Sequence, residues 1–180
     1  MNRLTLFFAA VALLLNITAQ AQLPTESKAM SEGVYEALVL SIPDLNAKQT
    51  AKLWTSFTKD FYDARSKYDR RSKEYIATDA EITGLGTDQP VNLHALIEER
   101  GKGSVVYLWV KVGDNFISKA QMPDQQMEAE QLLLRFGIEA AKEKVRLDIA
   151  AQEKDLERLQ GDLKKLKSEK DRYERDIERA

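Results

Sequence analysis

Residues 91–112 read VNLHALIEERGKGSVVYLWVKV and contain two β-prone runs separated by a glycine-rich turn. In 91–98, apolar residues alternate with mostly polar ones, which is the period-two pattern of a strand with one buried face. The second run, 104–112, is apolar and rich in β-branched residues. The turn at 100–103, Arg-Gly-Lys-Gly, is typical of a hairpin. We therefore predict two antiparallel strands joined by a tight turn.

Three further runs are predicted to be strands: 34–42, 74–83 and 116–119. Pro43-Asp44 ends the first, and Gly113-Asp114-Asn115 supplies a turn before the last. These runs place most of the predicted strands in the middle of the chain.

An amphipathic helix is predicted between the first two of those runs. Asn46 followed three residues later by Gln49 is a helix-start signature, and the helix is expected to continue to about residue 70. Apolar and small residues recur along it at spacings of three and four, at Ala47, Thr50, Trp54, Phe57, Phe61, Ala64 and Tyr68. We interpret this stripe, including its aromatic residues, as the core side of the helix.

The order β-α-β-β-β followed by a helix predicts an α+β domain over 34–123, with a small mostly antiparallel sheet packed on one helix. A right-handed crossover through the helix would let the first strand pair in parallel with the second. Residues 22–33 precede this domain as a polar lead-in. The pattern leaves the order of the strands open.

The C-terminal third, 124–180, is predicted to be one long helix with Asp124 as its N-cap. From about residue 145 its apolar residues follow the heptad pattern of a coiled coil, with Ile149 at position a. Lys170, at another a position, weakens the pattern and favours few strands. The predicted partner-binding seam consists of Ile149, Leu156, Leu159, Leu163, Leu166, Tyr173 and Ile177.

The charges beside the seam leave its partner open. Every g position is acidic. In a parallel homodimer Asp162 would attract Lys167 of the second copy, whereas Asp148 would repel Glu153. An antiparallel homodimer would bring the acidic rows together, which is worse. Self-association as a parallel coiled coil is our first prediction. A heterologous helical partner with basic flanks and a free charged helix are the alternatives.

Residues 1–21, MNRLTLFFAAVALLLNITAQA, predict an export signal. Arg3 precedes an apolar run over 4–15, which is shorter than the ~20 residues needed to span a bilayer. Ala19-Gln20-Ala21 fits a signal-peptidase site, so cleavage is predicted before Gln22. An uncleaved N-terminal anchor is the alternative. We predict a periplasmic or secreted protein with no membrane span after cleavage of the signal.

Composition narrows the functional classes. With 27 Lys and Arg against 29 Asp and Glu, the formal charge is −2, which gives no reason to expect nucleic acid as a partner. Because the chain has no Cys, disulfides, thiolate metal sites and cysteine nucleophiles are excluded. A single His excludes a site with several His ligands. We predict no cofactor and no metal.

Candidate catalytic chemistry depends on His94. An acid–base pair or triad would need a carboxylate and a hydroxyl from common residue types, at Asp79, Glu81, Asp88, Ser104 or Ser118. No nucleophile motif accompanies them, so a structural or surface histidine is predicted. Asp79 and Glu81, on one face of a strand, are interpreted as a solvated surface rather than as a cation site.

Two glycine pairs and one basic stretch receive structural interpretations. Gly84-Leu85-Gly86 and Gly101-Lys102-Gly103 lack the spacing of a phosphate loop and are predicted to be turns. The basic stretch consists of Arg65, Lys67, Arg70, Arg71 and Lys73. These residues are expected near a helix C-terminus, where the helix dipole favours cations.

These patterns predict an exported, non-enzymatic interaction or scaffold protein that presents an α+β domain on a coiled-coil stalk. One alternative is a periplasmic chaperone or envelope-assembly factor. The other is a small-ligand receptor or enzyme with its site on the open face of the sheet, where His94 and Asp79 are the first candidates.

Overall fold

The computed structural model describes residues 22–86 and 89–179. The predicted export signal, 1–21, lies outside the described residues. The described part forms seven strands and two helices. They are β1 (Thr25–Met30), β2 (Gly33–Ile42), α1 (Ala47–Tyr62), β3 (Lys67–Asp69), β4 (Glu74–Ala80), β5 (Val91–Arg100), β6 (Gly103–Val112), β7 (Asn115–Phe116) and α2 (Pro123–Glu178).

The strands form one antiparallel sheet in the order β1-β2-β6-β5-β4-β3, and β7 also pairs with β6. This confirms the predicted α+β class and the antiparallel sheet. The parallel pairing of the first strand with the second is wrong, because β6 and β5 lie between β2 and β4. Strands β5 and β6 pair along their whole length. The hairpin that they form lies at the centre of the sheet.

Helix α1 begins where the sequence predicts and ends earlier. The Asn46 side chain accepts a hydrogen bond from the Gln49 N–H, and the Gln49 side chain accepts one from the Asn46 N–H. The helix ends at Tyr62 because Asp63 adopts a left-handed conformation with φ of 48°. Tyr68, predicted to lie on the helix, lies in β3 instead. The predicted core positions Thr50, Trp54 and Phe57 are buried. Phe61, predicted to lie on the same core side, is 57 % exposed, so that prediction is wrong.

Two helices, rather than the one predicted, cover one face of the sheet. The first part of α2 packs beside α1, and the ring of Phe136 lies 5.1 Å from that of Trp54 and 5.3 Å from that of Phe57. These rings cover strand residues such as Leu93 and Leu108. The buried residues of α2 are Gln126, Ala129, Leu132, Leu133, Phe136 and Ala140. The domain therefore includes part of the helix that the sequence assigned to the stalk.

The opposite face is covered by the β1–β2 hairpin. Neighbouring strands are ~4.8 Å apart, so four strand spacings separate β1 from β4 in a flat sheet. Ser31, at the hairpin tip, nevertheless bonds directly to Glu74 of β4 at 2.7 Å. The sheet must therefore curl strongly. The hairpin covers a second apolar cluster centred on Tyr107 and Trp109. Strand β1 lies within the polar lead-in of 22–33, where no strand was predicted.

Helix α2 has 56 residues, which correspond to a length of ~84 Å. Met122 occupies its N-cap position and Pro123 its first turn, so the predicted N-cap, Asp124, lies inside the first turn instead. Proline suits that place because the first helical N–H groups have no partner within the helix. From residue 145 to residue 179 every residue is exposed. The helix thus has a domain-bound half and a projecting half.

Candidate functional site

The predicted seam is an apolar stripe on the projecting half of α2, interrupted at Gln152 and Lys170. All seven of its side chains are exposed, from 50 % at Ile149 to 75 % at Ile177. At ~100° of rotation per residue, their alternating spacings of three and four place them on one side of the helix. A single exposed leucine is ordinary, whereas several large apolar side chains exposed on one side of a helix make that side a candidate interaction surface.

Acidic residues beside the seam are paired within their own helix. Asp148 lies in an ion pair with Lys144, and Glu174 lies 3.1 Å from Lys170. Arg158 approaches both neighbouring aspartates of the row at 3.7 Å. Each exposed pair contributes little to the stability of the helix, because solvent screens its charges. Together they place cations next to the acidic row and so lower its local negative charge.

His94 is not on the surface; it lies in a buried polar cluster under the hairpin. Its Nδ1 is 3.2 Å from Glu74 Oε2. The Glu74 carboxylate also accepts bonds from the Ser31 N–H and the Ser31 hydroxyl, both at 2.7 Å. His94 is 4 % exposed and Glu74 is 2 % exposed. The prediction of a structural histidine is consistent with this arrangement, because the polar groups satisfy one another in a closed space.

A second carboxylate completes the contacts at the hairpin tip. Glu32 Oε1 lies 3.4 Å from His94 Nε2, and Glu32 Oε2 accepts a bond of 2.6 Å from Lys111 Nζ. The hydrogen bond to Glu32 raises the pKa of Lys111, while partial burial opposes the rise. We call Ser31, Glu32, Glu74, His94 and Lys111 the hairpin clasp. It ties the tip of β1–β2 to β4, β5 and β6.

Those predicted catalytic partners of His94 that the structure describes are not assembled around it. Ser104 alternates to the helix-covered face, where its hydroxyl lies 2.7 Å from that of Thr50. Ser118 follows β7 in a loop, and Asp88 lies outside the described residues. Asp79 sits at a bulge of β4 with φ of 55°. Its N–H donates to the Asn92 side chain.

The remaining motifs also have defined places. Both predicted glycine turns are found in turns, at 83–85 and 101–102. Glu81 follows the end of β4, so it does not share a strand face with Asp79 as predicted. The basic residues of 65–73 lie exposed on and around β3, because α1 ends before them. Their predicted place at a helix C-terminus is therefore wrong.

Sequence reasoning missed Glu74 and the hairpin tip. Glu74 opens β4 and lies on the same face as Ile76, so alternation alone gives it an inward position. Nothing in the local sequence distinguishes that position from a solvated strand end. The acceptor role of Glu74 depends on Ser31, which lies 43 residues away in the chain.

Within 22–86 and 89–179, no three or more His, Asp or Glu side chains are grouped so as to hold a metal ion. Neither helix of this described part has an apolar stretch of the length that would cross a membrane. Comparison with known proteins finds no matching family model, no similar curated protein and no matching solved structure. The described residues thus form an α+β domain with a curled antiparallel sheet and a projecting C-terminal helix that carries an apolar stripe.

Proposed function

We propose that this is an exported, non-enzymatic interaction protein, whose α2 helices associate as a parallel coiled coil and present the α+β domains together. The exposed seam on the projecting half of α2 is the observation that carries the proposal. Export rests on the signal-like pattern of 1–21. The non-enzymatic role rests on the sequence, in which no nucleophile motif accompanies His94.

Association through the seam supplies a mechanism for function. Burying half-exposed leucines and isoleucines against a second helix removes apolar area from water, worth ~25 cal/mol per Å². Two domains held on one stalk would bind a repeated or multivalent target more tightly than either domain alone. The gain comes from effective concentration, so each domain can bind weakly.

The test is the molar mass of the chain from Gln22 to Ala180, measured by light scattering over a tenfold range of concentration. The wild type is expected to be a dimer. Replacing Leu156 and Leu163 together by Ser removes four large apolar side chains from each dimer. At ~1 kcal/mol or more for each of these half-exposed side chains, the total of ~4 kcal/mol is expected to raise the dissociation constant at least about a thousandfold.

Glu157→Ser with Lys164→Ser is the matched control. Both residues are exposed, each follows a seam leucine by one position, and the pair leaves the net charge unchanged. This variant is expected to remain a dimer. A wild type that is monomeric throughout the concentration range would reject self-association, and the heterologous partner with basic flanks would replace it.

A further inference from the structure

A second apolar stripe runs along the outer side of the domain-bound half of α2 and reaches the first residue of the projecting half. Leu134 is 40 % exposed, and Ile138 and Val145 are each 57 % exposed. We call these three residues the domain-proximal stripe. Their neighbours Leu133 and Phe136 are fully buried in the core. This part of the helix therefore has two apolar sides, of which the domain covers one.

The two sides are nearly opposite each other. With ~100° of rotation per residue, the centre of the domain-proximal stripe lies ~150° around the helix from the centre of the buried side. The stripe also continues into the seam. From Leu134 the steps are four to Ile138, three to Ala141, four to Val145 and four to Ile149. The last step inserts four residues into the heptad pattern, which locally unwinds a coiled coil without breaking its apolar stripe.

We propose that a second copy of this chain covers the domain-proximal stripe in parallel register, so that the dimer interface begins beside the domains rather than at Ile149. The inference rests on the proposed function, and it adds where the interface starts and how the domains are held. Because α2 lies between its own domain and the partner helix, the two domains would lie on outer sides of the pair, facing away from each other.

The charges that flank the domain-proximal stripe fit a second copy in parallel register. In the register of the domain-proximal stripe, Glu130 and Arg135 occupy flanking g and e positions. A parallel, in-register pair places Glu130 beside Arg135 of the other copy, twice per dimer by symmetry. An antiparallel pair of equal overlap would instead bring Asp155 against its own copy. Charge complementarity beside the domains thus favours the parallel second copy, although Asp148 and Glu153 repel each other farther along the same pair.

Cross-linking of single cysteines tests the inference, because the chain has no Cys of its own. Three variants of the chain from Gln22 to Ala180 are incubated with oxidised glutathione: Ile138→Cys, Leu163→Cys and Lys154→Cys. Exchange of two protein thiols with oxidised glutathione gives one interchain disulfide and two reduced glutathiones. Lys154 lies on the outward side of α2 and serves as the control.

Both Ile138→Cys and Leu163→Cys are expected to form covalent dimers at least about tenfold faster than Lys154→Cys, because a parallel register places equal positions together. Cross-linking of Leu163→Cys without that of Ile138→Cys would overturn the inference and leave the proposed function standing. Failure of both variants, with a monomeric mass for the wild type, would overturn the proposed function itself.

A second measurement excludes accidental collision of thiols. Ile138→Ser combined with Val145→Ser is expected to raise the dissociation constant of the dimer at least about tenfold. Because both side chains are exposed, the unfolding midpoint of the domain is expected to stay unchanged when wild type and variant are compared at a concentration where both are monomeric. An unchanged dissociation constant would show that the interface does not reach the domains.

Discussion

The carboxylate of Glu74 is buried, yet each of its oxygens has a partner. It accepts two bonds from Ser31 and lies within hydrogen-bond distance of His94. A buried charge without such partners would cost several kcal/mol, so the three groups are mutually dependent. Lys28 adds a contact on the same face, because its ammonium lies 3.0 Å from Glu98 and over the ring of Tyr107.

Replacing Glu74 by Ala is expected to lower the free energy of unfolding by about 3 kcal/mol, because the donors of Ser31 and His94 lose their buried acceptor. Urea unfolding at neutral pH measures the change. Glu26→Ala, which removes an exposed carboxylate on β1, is the control and is expected to change stability by less than about 0.5 kcal/mol. Equal effects of the two substitutions would contradict the role of Glu74.

At the scale of elements, the β1–β2 hairpin is the least expected part of the fold. Strand β1 pairs only with β2, and the first half of β2 leaves β6. The short β7 pairs with β6 beyond the end of β2. The ring of Tyr35 in β2 stacks on that of Phe116 in β7 at 4.0 Å. The second half of β2 is held by its backbone pairing with β6, whereas the tip of the hairpin is held by side-chain contacts.

The pH dependence of one clasp contact follows from Lys111. Its hydrogen bond to Glu32 raises the pKa of Lys111 above the ordinary value of 10.5, so the folded state holds that proton more tightly than the unfolded state. The resulting stability is fully present below pH 10.5 and is lost as the pH rises through the folded-state pKa. The stability difference between wild type and Lys111→Met is therefore constant near neutral pH and shrinks in strong alkali.

Urea unfolding of the two proteins at neutral pH and at a series of alkaline pH values checks this expectation. The same comparison in a Glu32→Gln background is the control, because that substitution removes the charged acceptor of Lys111. In that background, the stability difference between the protein with Lys111 and its Lys111→Met variant should shrink less as the pH rises. A difference that grows with pH in the wild-type background would have the wrong sign for a raised lysine pKa.

On the scale of the whole molecule, α2 joins two regions with different sources of stability. Its first half completes the core through Phe136, whereas residues from 145 onward make their stripe available to another chain. Gly137 marks the close approach of the helix to β2, since a Cβ there would lie 3.3 Å from the Leu40 side chain. Substitutions of buried residues in the first half of α2 should therefore lower the stability of the domain, whereas substitutions in the second half should not change it.

Phe136→Ala is expected to lower the unfolding free energy of the domain by about 4 kcal/mol, because it leaves a cavity between Trp54 and Phe57. Leu156→Ala, compared at a concentration where both proteins are monomeric, is expected to leave it unchanged. Unfolding of each variant is followed by tryptophan fluorescence, because the two tryptophans of the chain, Trp54 and Trp109, lie in the domain. Equal losses would mean that the projecting half also stabilises the domain.

The elements that could be predicted from the sequence are those governed by local rules. The alternation and glycines of 91–112 predict the β5–β6 hairpin, and Asn46 with Gln49 predicts the start of α1. The proline-free C-terminal third predicts α2. Each signal lies within a few residues of the element it defines, so no distant contact is needed to interpret it. The seam is equally local as a pattern, but its partner remains a prediction.

Tertiary structure alone decided what covers each face of the sheet. Strand β1 is polar, and it becomes a strand by pairing with β2 and by reaching β4 through Ser31 and Glu74. Helix α2 has an apolar pattern on two sides, and only the position of Trp54 and Phe57 determines that Phe136 faces the core. These outcomes depend on contacts between residues far apart in the chain. Packing free energy, rather than local preference, selects among the faces that the sequence offers.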